Sequence, residues 1–355
     1  MLKTIDKLPP DIELETKQIL RKAASAHRYL AELKGITATI PNQLILINTL
    51  SLQEAKDSSA IENIITTHDD LYREGLFPDY GLSVAAKEVN HYASALRVGY
   101  DLVKKTGMLT TNHIIEIQAE MVKHRSGLRK LPGTELKNEQ TGETVYVPPQ
   151  DPREIVELMA NLEQYINDDE TDIDPLVRMA VIHYQFESIH PFYDGNGRTG
   201  RIINVLYLVL SGLMDIPVLY LSRYIVKNKA NYYHLLQKVR DERAWEPWIL
   251  FMLRAVEDTS RQTIAMIGEI RTALQEYEWR IRARHKFYSQ ALINNLFSHP
   301  YTKIEFIMRD LGVSRHTATK YLDALCADGL LKKQKIVRSN YYVNTALFGI
   351  LSREA

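Results

Sequence analysis

The chain has 355 residues with 44 basic and 44 acidic side chains, so it carries no formal net charge, and 45% hydrophobic beside 25% charged residues is ordinary for a soluble globular protein. That balance excludes recognition of a polyanion by bulk charge; the single cysteine, Cys326, excludes an internal disulfide or a cysteine metal cluster and suits a reducing cytoplasm. The first seven residues lack the apolar core of a signal peptide, and the most apolar stretch, 202–221, is broken by Asn204, Asp215 and Pro217, so no membrane span is expected.

Taken in chain order, amphipathic patterns predict helices over 12–33, over 43–65 after the Pro41-Asn42 break, over 84–105 and over 111–124. The texture changes at 127–150. There the Thr141-Gly142 turn, flanked by extended residues and closed by Pro148 and Pro149, predicts a short hairpin. Helices resume at 151–167 and 175–189, and the second leads into a glycine-rich loop. An apolar run at 202–210 reads as a buried helix. A Pro217 turn, a tyrosine-bearing helix at 230–240 and a helix at 245–256 follow, and the charged stretch 257–286 reads as a helical connector. The last 70 residues read as their own unit. Helices are expected at 288–297, 303–311 and 315–327, with Ser314 as an N-cap, and 330–343 alternates like a two-strand ribbon. The fold class is therefore mainly α with a small β-hairpin, ending in a winged helix-turn-helix pattern.

The segment His190-Pro191-Phe192-Tyr193-Asp194-Gly195-Asn196-Gly197-Arg198-Thr199-Gly200-Arg201 concentrates the chemistry. It opens a helix, where free backbone N–H groups and the helix dipole favour an anion. Gly195 and Gly197 let those N–H groups turn inward, and Arg198 and Arg201 fall on one helix face. Asp194 would repel phosphates without a cation between, which makes Mg²⁺ its natural partner. His190 takes a proton near neutral pH, and Pro191 is expected to stop the preceding helix and leave His190 extended. These residues propose proton abstraction from a hydroxyl beside a Mg²⁺-bound triphosphate.

This segment resembles the signature of the Fic family, His-Pro-Phe-x-Asp-Gly-Asn-Gly-Arg-x-x-Arg, at all nine specified positions. The resemblance covers roughly residues 30–255. Tyr146-Val147-Pro148-Pro149 is similar to the family's Tyr-x-Pro-Pro, Phe186-Glu187-Ser188-Ile189 to its lead-in, and Tyr232-Tyr233 to the tyrosine pair beside the adenine pocket. It implies a protein adenylyltransferase. His190 would activate a Ser, Thr or Tyr hydroxyl of a target protein, the chain itself included, for attack on the α-phosphate of ATP. Asp194 would hold Mg²⁺, and Gly195, Asn196 and Gly197 would form the anion hole. Arg198 would take the β-phosphate and Arg201 the γ-phosphate, with Thr199 and Gly200 completing the nucleotide loop. The hairpin at about 133–145 would be the flap that aligns the target. Gly197, where phosphate-transferring relatives tend to carry Lys, favours AMP transfer. Arg240 stands where the family carries an adenine-binding Asn.

Ser58-Ser59-Ala60-Ile61-Glu62-Asn63 resembles the family's inhibitory pattern. Ser58 and Glu62 share a helix face, and Asn63 tolerates the left-handed conformation that ends a helix. Glu62 would pair with Arg201 and deny it to the γ-phosphate. In some relatives the same glutamate supports AMP removal, so a bifunctional or mainly AMP-removing enzyme stands as an alternative, beside a DNA-binding regulator that uses the nucleotide site as a sensor. Residues 301–355 hold nine basic and five acidic side chains, clustered at Arg315, Lys320, Lys332, Lys333, Lys335 and Arg338. DNA binding and protein docking through 288–355 both stand, as does a homodimer. The expected division is 1–105 with the inhibitory helix, 106–255 as catalytic core, 256–287 as connector and 288–355 as winged helix-turn-helix domain. His183 is expected to be a core histidine.

Overall fold

A computed structural model describes residues 5–74, 83–138, 141–336 and 339–353. The hairpin tip at 139–140 and the ribbon residue Arg338 lie outside the described residues. Among the described residues no helix is long and apolar enough to cross a membrane.

The first helix, α1 (Lys17–Thr37), begins where Thr16 caps the Ile19 N–H, five residues later than the apolar pattern suggests. Its buried stripe of Ile19, Ala23, Ala26, Leu30 and Leu33 packs along α11 (Trp245–Arg284). That helix is one unbroken rod of 40 residues, so the expected seam at 256 falls inside a continuous helix. Its buried positions continue through Thr259, Thr263, Ile267, Ile270 and Leu274, which gives the charged stretch an apolar stripe and no reason to break.

Helix α2 (Leu44–Ile61) is buried on nearly every side. Asn63, at φ 60°, turns the chain in the left-handed region just after Glu62, and the short helix α3 (His68–Glu74) follows. Helices α4 (Val84–Thr106) and α5 (Thr111–Val122) pack on each other. Gly99 allows this close approach, because a Cβ there would meet Ile117 at 2.9 Å and Leu206 at 2.5 Å. The strands β1 (Leu136–Lys137) and β2 (Thr144–Tyr146) form the expected antiparallel hairpin.

After α6 (Pro152–Ile166) comes the central pair, α7 (Pro175–Ile189) and α8 (Asn196–Leu210). Both are apolar around most of their circumference and sit in the core. Gly200 brings them together, since a Cβ there would meet Glu187 Oε1 at 2.5 Å and Phe186 Cδ1 at 3.1 Å. Helices α9 (Ser222–Lys227) and α10 (Lys229–Glu242) lead into α11.

The C-terminal unit contains α12 (Gln290–Ser298), β3 (Tyr301–Thr302), α13 (Ile304–Leu311), α14 (Arg315–Ala327), β4 (Leu331–Ile336), β5 (Ser339–Asn344) and α15 (Thr345–Ser352). Ser314 caps α14 as expected, accepting from the Thr317 N–H. The ribbon gains a third strand, in the order β3-β5-β4. This unit docks on the N-terminal helices. Gln53 of α2 donates to the Leu351 carbonyl at 2.9 Å and to the Tyr72 hydroxyl at 3.1 Å. Tyr72 in turn packs edge-on against His299 and Phe348, and the Tyr301 hydroxyl bonds to Asp69.

Candidate active site

His190 forms the C-cap of α7 in the left-handed region, φ 48° and ψ 58°, not the extended conformation expected from Pro191. The proline disfavours a right-handed residue before it, and the left-handed turn meets that demand while keeping the His190 N–H on the Phe186 carbonyl at 2.9 Å. Such a φ is strained for a residue with a side chain and needs external support. Arg129 supplies it. This buried arginine donates Nε to the His190 carbonyl at 2.8 Å and Nη2 to the Pro149 carbonyl at 2.8 Å, while its backbone N–H bonds to the Pro191 carbonyl at 2.8 Å. It thereby ties the His-Pro turn to the base of the hairpin. Sequence reasoning passed over Arg129, and no local signal marks it. Burial, then the charges of Arg129 and Arg240, push the His190 imidazole down to about 4, so it is neutral at physiological pH and able to accept a proton.

The loop beyond it is latched from within. Asn196 accepts from the Phe192 N–H at 2.8 Å and donates to the Phe192 carbonyl at 2.8 Å. Its side chain is thus spent on the loop, and only its backbone N–H is available to an anion. Gly195, at φ 79°, is the N-cap of α8 and lies under Met121, which a Cβ would strike at 2.6 Å. The Tyr193 hydroxyl accepts the N–H groups of Lys130 and Leu131, at 3.0 and 3.1 Å, and so anchors the segment leading to the hairpin. Thr199 and Gly200 are buried within the first turns of α8.

Both loop arginines are already in the hands of acids. Arg201, fully buried, donates Nε to Ser58 Oγ at 2.8 Å, and Nη2 to the Ser58 carbonyl at 3.0 Å and to Glu62 Oε1 at 2.8 Å. The structure thus brings Ser58 and Glu62 of the N-terminal region against the loop 139 or more positions away. Burial raises the Glu62 carboxyl, but the charge and hydrogen bond of Arg201, joined by the charges of Arg198 and Lys229, together outweigh it and leave Glu62 below the usual carboxylate range. A Cβ at Gly197 would collide with Glu62 Oε1 and reach 3.0 Å from Arg201 Nη1, so this pair needs glycine there. Arg198 contacts Glu88 of α4 at 3.2 Å and Asp194 at 3.7 Å. Glu88 is a second residue that sequence reasoning passed over.

Asp194 is the exposed acid of the loop, with a side chain 75% accessible. Among the described residues no three His, Cys, Asp or Glu side chains converge as a metal cage. A lone exposed carboxylate nevertheless suits Mg²⁺, which is commonly held by one or two carboxylates plus substrate phosphates. Glu187 lies beneath the loop, and burial, opposed by Arg201, raises its carboxyl to about 7. The tyrosine pair divides. Tyr233 is exposed, whereas Tyr232 is buried, bonds to His183 Nε2 at 2.8 Å and packs on Trp248. His183 is a core histidine, stacked on Trp248 and lowered to about 3, first by burial and then by the Arg201 charge. Arg240 lies 3.9 Å over the Tyr146 ring, and the Tyr146 hydroxyl bonds to the Ser188 carbonyl at 2.9 Å.

Three family descriptions match in succession: Fic/DOC family N-terminal over 20–101, Fic/DOC family over 108–208, and protein adenylyltransferase SoFic-like, C-terminal domain, over 274–347. The chain belongs to the Fic/DOC family. This Fic chain is 30% identical over 181 residues to a protein adenylyltransferase Fic of Drosophila yakuba, a match covering 50% of this chain and 32% of that one. With the Aedes aegypti protein of the same name it shares 26% over 242 residues, covering 67% and 42%. The Fic chain thus spans only 32% and 42% of the length of these two curated relatives. Its fold resembles that of a Fic family protein from Desulfovibrio desulfuricans G20, with TM-score 0.57, 21% identity and coverage of 94% and 98%. Fic-1 from C. elegans aligns with TM-score 0.54, 20% identity and coverage of 71% and 73%.

Proposed function

We propose that this Fic chain transfers AMP from ATP to a hydroxyl of a target protein and that Glu62 restrains it. The observation that carries the reading is the arrangement around His190: a neutral, half-buried imidazole ends α7 beside a helix N-terminus whose second arginine is gripped by Glu62 from the end of α2. The names of the curated relatives support adenylyl transfer for the family as a whole.

In the proposed reaction His190 takes the proton of a Ser, Thr or Tyr hydroxyl. The hydroxyl oxygen bonds to the α-phosphorus, the bond from that phosphorus to the bridging oxygen breaks, and pyrophosphate leaves. The backbone N–H groups of Gly195, Asn196 and Gly197 receive charge developing on the phosphate oxygens. Arg198 and Arg201 take the outer phosphates, within the loop completed by Thr199 and Gly200. Asp194 is the residue that would hold Mg²⁺, which neutralises phosphate charge when bound. Tyr233 offers an exposed ring to the base, while Tyr232 supports it from below. Glu62 opposes all this by holding Arg201, with Ser58 sharing the grip and Asn63 ending the helix that delivers them.

The C-terminal unit is proposed as a winged helix-turn-helix docking module in preference to a DNA reader. Arg315 is paired with Glu305 at 2.9 Å and Lys333 with Asp323 at 2.8 Å, which lowers the charge offered to phosphates. Lys332 also alternates to the ribbon face opposite Lys333 and Lys335.

The test uses wild type, Glu62→Gly and His190→Ala with Mg²⁺ and ATP labelled on the α- or the γ-phosphate. Protein-bound label from α-labelled ATP alone, strong in Glu62→Gly and absent in His190→Ala, is expected. Label from the γ-phosphate would replace the reading with phosphate transfer, and label retained in His190→Ala would remove the base.

A further inference from the structure

The two loop arginines are held in different ways, and the difference gives Glu88 a role. On Arg201, Nε and Nη2 are both engaged by Ser58 and Glu62. On Arg198, Nη1 donates to Glu88 Oε2 at 3.2 Å, whereas Nη2 lies 3.7 Å from Asp194 Oδ1, too long for a hydrogen bond. The buried Arg198 Nε has no partner among the described residues. Glu88 is therefore the one hydrogen-bond partner that fixes this guanidinium, again among the described residues.

The two carboxylates around Arg198 also differ in setting. Asp194 projects from a loop with its side chain 75% exposed. Glu88 sits on a 23-residue helix whose neighbouring positions Val89, Tyr92 and Leu96 are locked in the core. Its side chain is 40% exposed, while that of Arg198 is 6% exposed. Glu88 thus holds Nη1 from α4 and leaves Nη2 on the side of the loop acid Asp194. A guanidinium has five N–H donors, so one carboxylate can hold it while another anion binds.

We infer that Glu88 is a positioning residue for polyphosphate: it orients Arg198 so that Nη2 meets an outer phosphate of the nucleotide, in the restrained and the released enzyme alike. The inference rests on the reading of the loop as a nucleotide site. It makes the two glutamates opposites, Glu62 competing with phosphate for an arginine and Glu88 presenting one to it. Without Glu88, Arg198 would be free to sample other rotamers or fold back on Asp194, and ordering it would cost part of the binding free energy.

The experiment measures ATP and AMP affinity by calorimetry in the Glu62→Gly chain, with and without Glu88→Ala or Glu88→Gln. AMP lacks the outer phosphates, so it reports damage unrelated to Arg198. The expected result is an ATP affinity weakened about three- to tenfold by Glu88→Ala, less by Glu88→Gln, which keeps an acceptor, and an unchanged AMP affinity. Unchanged or tighter ATP binding would overturn the inference, as would equal losses for ATP and AMP. If Glu62→Gly alone binds ATP no better than AMP, the polyphosphate reading fails and takes the inference with it. Because binding is read directly, absence of AMP transfer in any variant leaves this test intact.

Discussion

Glu62→Gly tests the restraint most directly, and its size can be worked from the contact. The carboxylate meets Arg201 Nη2 at 2.8 Å, a charge-assisted bond of about 1.5–3 kcal/mol when buried. The Glu62 side chain is 34% exposed, so solvent screening reduces this to about 1–2 kcal/mol. With tenfold per 1.4 kcal/mol, the substitution should raise the rate of AMP transfer about 5- to 30-fold. Arg201 keeps its two bonds to Ser58, so the arginine stays in place. Glycine adds little strain at φ −90°, costing at most about 1 kcal/mol of stability. Glu62→Gln retains an acceptor without the charge and should fall between the two. Initial rates with α-labelled ATP, at saturating and limiting nucleotide, provide the assay. Equal rates for wild type and Glu62→Gly under both conditions would refute the reasoning, because the ion pair would then carry no control.

Arg129→Ala removes the support of the left-handed His190 turn and should lower the transfer rate at least about tenfold while leaving ATP affinity within twofold; a loss confined to ATP binding would contradict that role. His190 is lowered to about 4, and only its neutral form accepts a proton, so rate against pH should stay flat through neutrality and fall as pH drops through about 4. Glu62 raises that value, so Glu62→Gly should shift the acid limb lower still, and a limb centred near the ordinary histidine value would count against burial of the base. Glu54 of α2 is buried on Tyr92 and Ser222, and burial raises it to about 7. A raised carboxyl keeps its proton on folding, so its stabilisation is full below the ordinary carboxylate range and lost as pH rises through about 7. Glu54→Gln should flatten the decline in melting temperature across that window, though Glu187, also raised to about 7, preserves part of it; an unchanged slope would refute the assignment.

What the sequence made legible was local. The loop 190–201 declares itself because the residues of the proposed site stand in twelve consecutive positions, and α14 is bounded by its own cap at Ser314. Ser58 and Glu62 were legible as one helix face, and their contact with Arg201 follows from tertiary packing. Arg129 and Glu88 were not, since each acts on a partner 61 or 110 positions away with nothing nearby to mark it. The left-handed His190 escaped a rule that describes the residue before proline on average, because helix capping decided between the remaining conformations. Tyr232 and Tyr233 are adjacent in sequence, but successive helix positions point about 100° apart, and only burial separates the core ring from the surface ring. The short helices α3 and α15 are stabilised by mutual packing of Tyr72 and Phe348, a contact invisible to local propensity.

The burial of α2 bears on how fast such an enzyme could be switched. Ile45, Leu46, Ile47, Leu50, Leu52 and Ile61 are all buried, and at about 1.5–3 kcal/mol each their exposure would cost on the order of 10–20 kcal/mol, as much as unfolding a domain. Withdrawal of the helix is therefore too rare to serve as a signal. Glu62, however, stands one residue past the last helical turn and is one-third exposed. Its side chain can swing away while the rod behind it stays still, a rotamer change on the nanosecond scale. The proposed lock would thus be a latch on a fixed post, its release limited by what captures the freed carboxylate.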